Sequence, residues 1–302
     1  MKTTNLQTSV LSTLSSVLCT LPSVLCTLLS VLFISCSQDE VFEQELTKDT
    51  PITIASAGVA ELTTRAIADG KLVGTADENA TMSIFITGGS EAKYNAENVK
   101  WEHDATGWDS ETSVLYEGTN SSQKIYACSP FDANAASGSV TVTASEQTDW
   151  LVATEKRVTS NSMALTMTHA LTKLVLEPTY GTELTDPTIS SVEVGGMYAS
   201  GTLKISDNTW SNCGTANATL PMANKEVLVI PMEECESFPI TITMADSRTF
   251  KTTISLTSVD NMLEAGIQYN IALQVGQDKV TLGGITASSW GTPISGGNLE
   301  TE

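Results

Sequence analysis

The feature that most restricts this chain is an alternation of apolar and polar residues with a period of two, written in short runs closed by turn residues. Met163-Ala-Leu-Thr-Met and Phe250-Lys-Thr-Thr-Ile-Ser-Leu are two such runs. Successive side chains of a strand point to opposite faces, so this period predicts strands with one face on a core and the other in water. Further strands are predicted at Met82–Ile86, Val114–Glu117, Lys124–Ala127, Val140–Ala144, Lys173–Glu177, Ser191–Val194, Gly201–Ile205, Val227–Ile230, Ile240–Met244, Tyr269–Val275 and Lys279–Leu282. Gly88-Gly89, Pro178 and Gly195-Gly196 close three of them. No segment carries the 3.6-residue period of an amphipathic helix, and Thr, Ser, Val and Ala dominate the composition.

Strands at spacings of about 8–12 residues predict an all-β chain of antiparallel sandwiches. A chain of 302 residues has room for two domains of about 100–150 residues each. The division is expected after the Asp149–Glu155 segment, giving domains 51–157 and 158–302.

Charge removes some classes of partner. Charged residues make up 17% of the chain, and 35 acids against 15 bases give a formal net charge of −20. A surface of this sign repels phosphate backbones and anionic head groups, so nucleic acid is not expected as a partner.

The N-terminus reads as an export signal. From Val10 to Ile34 there is no charge, and a heptad recurs as Ser9-Val-Leu-Ser-Thr-Leu-Ser, Ser16-Val-Leu-Cys-Thr-Leu-Pro and Ser23-Val-Leu-Cys-Thr-Leu-Leu. Pro22 interrupts the heptad and partner-selecting charges are missing, which argues against a coiled coil. The run ends at Leu32-Phe33-Ile34-Ser35-Cys36 with polar sequence directly after it, which resembles a lipobox. Residues 1–35 are then the signal peptide and Cys36 the acylated first residue of the mature protein; a plain transmembrane anchor is the alternative. Residues 36–50 read as an acidic tether, whose Asp39-Glu40 pair is either a surface-export signal or ordinary linker.

Chemistry-bearing constellations are missing. Only two histidines occur, neither in a metal-binding spacing, and no nucleophile elbow, phosphate loop or dinucleotide fingerprint is present. No enzymatic activity, cofactor or metal is expected. Cys128, Cys213 and Cys235 form no C-x-x-C pair, so buried free thiols are expected, with one disulfide among the three as the alternative. Trp101 and Trp108 flank a Gly-containing turn and are expected to pack a hairpin core; an exposed platform for glycans is the other reading. His169, after an alternating run, is expected to be a hydrogen-bonded core or strand-end residue.

Taken in order, several pieces resemble the fimbrillin family of two-domain pilins and their lipoprotein relatives. They are Thr63-Thr-Arg-Ala66, Tyr126-Ala-Cys-Ser-Pro130, Glu146-Gln-Thr-Asp-Trp-Leu-Val-Ala153, Leu165-Thr-Met-Thr-His-Ala-Leu-Thr-Lys-Leu174, Leu263-Glu-Ala-Gly-Ile-Gln-Tyr-Asn-Ile271 and Ile285-Thr-Ala-Ser-Ser-Trp290. The resemblance spans about residues 60 to 291. It implies two transthyretin-like β-sandwiches in tandem and a structural subunit, anchor or tip of an adhesive fimbria, lipid-anchored in the outer membrane at the cell surface before passing to the fimbrium.

It also implies assembly with other fimbrial subunits by strand exchange, triggered when an Arg-specific protease cuts the first strand. By position Arg65 is the candidate cleavage site, against its reading as an ordinary exposed arginine. The candidate donor segment is Lys279–Ile294, with Val280, Leu282, Ile285 and Trp290 as inserted side chains. If that segment is instead a fixed strand of the second domain, the protein is a tip, an anchor or a non-polymerising relative. The competing reading is a monomeric outer-membrane lipoprotein that binds glycan or host protein on the same scaffold.

Overall fold

A computed structural model describes residues 48–59, 80–104, 106–182 and 188–290. Among these residues the chain is all-β, with three single-turn 3-10 helices and no α-helix. The strands are β1 Thr50–Pro51, β2 Thr53–Val59, β3 Thr81–Thr87, β4 Ala96–Asp104, β5 Gly107–Asp109, β6 Leu115–Tyr116, β7 Lys124–Ser129, β8 Ser139–Thr143, β9 Leu151–Arg157 and β10 Ser162–His169. Then come β11 Thr172–Tyr180, β12 Ile189–Met197, β13 Ser200–Lys204, β14 Thr209–Ser211, β15 Ala218–Pro221, β16 Glu226–Val229, β17 Ser237–Met244, β18 Thr249–Ser255, β19 Ile267–Val275 and β20 Val280–Ser289.

Seven strands form the largest sheet, in the order β2-β10-β9-β7-β3-β4-β5. Its end strands β2 and β5 lie beside each other, so the sheet curls until it nearly closes. The middle strands are buried on both faces: Met82, Ser83, Ile84, Phe85 and Ile86 are all shielded. Phe85, stacked on Tyr126, points into the cluster shared with the later sheets, whereas Met82, Ile84 and Ile86 are buried outside that cluster. Two-sided burial explains why Ile84-Phe-Ile86 are apolar in succession, whereas β10 alternates.

The later strands make two four-stranded sheets, β16-β11-β19-β20 and β15-β12-β17-β18. Leu174 and Leu176, Val192 and Val194, Ile240 and Ile242, and Ile271 and Leu273 meet in one core between them, as expected where two amphipathic faces pack together. The passage from the seven-stranded sheet to these sheets falls between His169 and Thr172. Two features tie the two sides together. Strand β8 leaves the first half to pair with β13, from Ser200 opposite Thr143 to Lys204 opposite Ser139. The Gln147 amide extends the edge of β16, donating to the Leu228 carbonyl at 2.9 Å and accepting from the Leu228 N–H at 2.8 Å.

Candidate functional site

Two segments bear on the strand exchange that the resemblance implies: the first strands, which precede Arg65, and the last strand, which carries the donor candidates. Cys36 and Arg65 themselves lie outside the described residues.

The first segment starts at Asp49, where one carboxylate oxygen accepts from the Lys93 ammonium and the Tyr94 hydroxyl, each at 2.8 Å. These hydrogen bonds, the lysine's first, hold the carboxyl below the usual aspartate range, and the same contact pushes the Lys93 pKa up. Backbone bonds follow from Ile52 N–H to the Val114 carbonyl at 2.8 Å and from Thr53 N–H to the Asn161 carbonyl at 2.7 Å. Strand β2 then runs parallel to β10, from Thr53 opposite Ser162 to Val59 opposite Met167, with a bulge between Met163 and Ala164. Ile52, Ile54, Ala57 and Val59 are each at most 4% exposed, so this short segment fills part of the core. Burial of a side chain such as Ile or Val is worth about 1.5–3 kcal/mol.

The second segment, β20, is the outermost strand of its sheet and pairs antiparallel with β19 from Val280 opposite Val275 to Ser289 opposite Ile267. Of the four donor candidates, Ile285 is buried in the core, while Val280, Leu282 and Trp290 are half-buried and packed against it. The donor candidates therefore belong to the chain's own sheet, bonded on one edge only. A groove of about 600 Å³ lies at the paired ends of β19 and β20, lined by Val259, Asp260, Glu264, Tyr269 and residues 285–289 of β20.

The two segments converge at the end of β10. The ring of His169 stacks on the Trp290 indole, with centroids 3.8 Å apart and planes 14° from parallel, and its Nδ1 lies 2.9 Å from the Asp149 carboxylate. Asp149 thereby orients the imidazole that Trp290 covers. The Lys173 ammonium sits 6.0 Å from the Trp290 ring centre and pairs with Glu226 at 2.8 Å. His169 is thus the hydrogen-bonded strand-end residue expected from sequence, but its partners Asp149 and Trp290 were not foreseen, because they lie 20 and 121 positions away.

Other singled-out residues have structural roles. Trp101 on β4 and Trp108 on β5 are at most 9% exposed, as expected for a hairpin core and not for a glycan platform. Cys128, Cys213 and Cys235 are free thiols, the first and last buried. Burial pushes the Cys128 pKa up to about 12, which leaves its thiol unreactive near neutral pH. No group of three metal-ligating side chains is found among the described residues.

The family profile described as fimbrillin-like matches residues 30–290. The chain belongs to the fimbrillin-like family. Among solved structures, a candidate cell adhesion protein from Bacteroides ovatus superposes on it with a TM-score of 0.63 at 15% identity, over 80% of this chain and 98% of that one. A second, from Bacteroides uniformis, gives 0.59 at 19% identity over 70% and 91%. A fimbrial protein from Bacteroides vulgatus gives 0.48 at 10% identity over 81% and 100%. At these identities the likeness to the first two is one of fold. No protein of curated function matches the sequence. As a fimbrillin-like protein, this chain belongs with structural fimbrial proteins and not with enzymes. The family implies a place at the cell surface.

Proposed function

We propose that this fimbrillin-like protein is a structural subunit, or the anchor or tip, of an adhesive cell-surface fimbria. It is held in the outer membrane by lipid on Cys36, folds as two transthyretin-like sandwiches, and assembles by strand exchange after a cut at Arg65. The observation that carries this reading is the segment Thr50–Val59, a strand that fills core space and ends six residues before Arg65. A cut at Arg65 leaves this strand held by non-covalent contacts alone. Its departure unpairs one edge of β10 and opens the space of Ile52, Ile54 and Val59, and an incoming strand restores both ladder bonds and apolar contacts.

One observation favours a terminal role within this reading, or the monomeric adhesin reading beside it. Strand β20, which carries the donor candidates, is paired along its whole length in its own sheet. A chain that keeps this strand accepts a neighbour without donating in turn, which suits a tip or anchor.

The test is digestion of the purified full-length protein with an Arg-specific protease, followed by an unboiled denaturing gel. The chain has three arginines; Arg157 lies within β9 and donates to the Thr119 and Ser121 carbonyls, whereas Arg248 sits beside the β17–β18 turn. An Arg248→Ala background therefore isolates the Arg65 cut. A ladder of multimers that disappears with Arg65→Ala supports strand-exchange polymerisation. Cut protein that stays monomeric, but captures a second fimbrial subunit, supports the tip or anchor role. Protein monomeric in every condition with no capture supports the monomeric adhesin.

A further inference from the structure

Val59, at the end of β2, and Trp290, directly after β20, face the same cavity of about 120 Å³, together with Thr168, His169, Gly266 and Ile267. The first and last long strands of the described chain thus share one small space at the end of β10. Their link is built from several independent contacts. Val59 stands opposite Met167 in the parallel ladder, two residues before His169. His169 stacks on Trp290 and is oriented by Asp149. Gly266 donates its N–H to the Leu171 carbonyl at 2.9 Å and accepts from the Trp290 N–H at 2.8 Å, so the corner between β10 and β11 is bonded through one glycine to the end of β20.

We infer that the Trp290–His169 stack is a latch through which β2 holds β20 in its own sheet, so that loss of the first strand loosens the last one. An edge strand bonded on one side relies on its side chains and its ends to stay docked, because fraying starts where the last ladder bond is weakest. On β20 the ladder ends at Ser289, and Trp290 is the residue that secures that end. Trp290 is held by its backbone N–H on the Gly266 carbonyl and by one indole face covered by His169. The His169 ring, oriented by Asp149, sits at the end of β10, which is bonded to β9 as far as the pair His169–Leu151 and to β2 as far as the pair Met167–Val59. Removing β2 withdraws one of those supports and takes the Val59 wall from the small cavity beside the indole. The consequence is directional: the uncut chain keeps β20 docked, and the cut chain exposes it.

In its purpose this inference rests on the assembly reading above, but the coupling itself belongs to the uncut monomer and is measured there. The experiment is hydrogen exchange with mass-spectrometric readout on the intact full-length protein and on Val59→Ala, Trp290→Ala and Trp290→Leu variants. The expected result is exchange in residues 280–289 faster by roughly tenfold or more in all three variants, with β11 and β12 unchanged. Trp290→Leu keeps apolar bulk and loses the stack, so it reports on the latch where Trp290→Ala disturbs folding. Unchanged exchange in residues 280–289 for Trp290→Leu overturns the latch. An effect of the Trp290 variants with none from Val59→Ala overturns the coupling to the first strand. Failure of the assembly reading appears separately, as a missing ladder on the gel.

Discussion

At the scale of single residues, the tethers of the first strand make it sensitive to acid. Asp49 has its pKa lowered by the Lys93 and Tyr94 contacts, so its contribution to stability is present above the ordinary aspartate value and is lost as pH falls through the depressed one. The difference in urea midpoint between wild type and Asp49→Asn is therefore expected at pH 6 and should shrink as pH falls below the ordinary aspartate range; a difference independent of pH contradicts the assignment. Gly266 has φ +74°, and a Cβ there would lie 3.4 Å from the His169 carbonyl oxygen. Gly266→Ala is expected to cost about 1–2 kcal/mol in urea unfolding, since a left-handed backbone is strained for alanine. The thiols should separate by burial: a thiol reagent at pH 8 labels half-exposed Cys213 in the native protein, and Cys128 and Cys235 only on unfolding.

At the scale of elements, the candidate donor strand should show its alternation in energy. Ile285→Ala removes a core side chain 8% exposed and is expected to cost about 2–4 kcal/mol, whereas neighbouring exposed Thr286→Ala should stay within about 0.5 kcal/mol. Equal effects at the two positions contradict the register of β20. The strands of strong period two, such as β10, β11, β17 and β18, were legible in the sequence because one face of each is buried and the other wet. Strand β2 was not, because Thr53-Ile-Ala-Ser-Ala-Gly-Val59 is rich in small residues whose burial depends on β10 lying alongside, 109 positions later at Ser162. In the sequence β9 reads only as the end of a domain, and its place between β7 and β10 depends on ladders that no local pattern encodes. The same limit applies to the candidate site. Ile285 and Trp290 could be singled out as apolar residues in a terminal segment, but the stack of Trp290 on His169 follows from tertiary closure.

At the scale of the whole molecule, the N-terminal strand and the C-terminal strand are both peripheral ladders on otherwise continuous sheets. On the proposed assembly, either one leaves while the core strands β11, β12, β17 and β19, whose side chains meet one another, stay packed. This is the physical condition for exchanging strands between copies while each copy stays folded. The central claim is that the segment ending at Arg65 is a removable strand whose place another strand can take. It is tested most directly by native mass spectrometry of the full-length Arg248→Ala protein, cut with an Arg-specific protease and offered a synthetic peptide spanning Lys279–Ile294. The account predicts that the fragment ending at Arg65 is released and that the remaining body binds one peptide, which uncut protein does not. A fragment that stays bound after the cut, or a cut body that ignores the peptide, would contradict it.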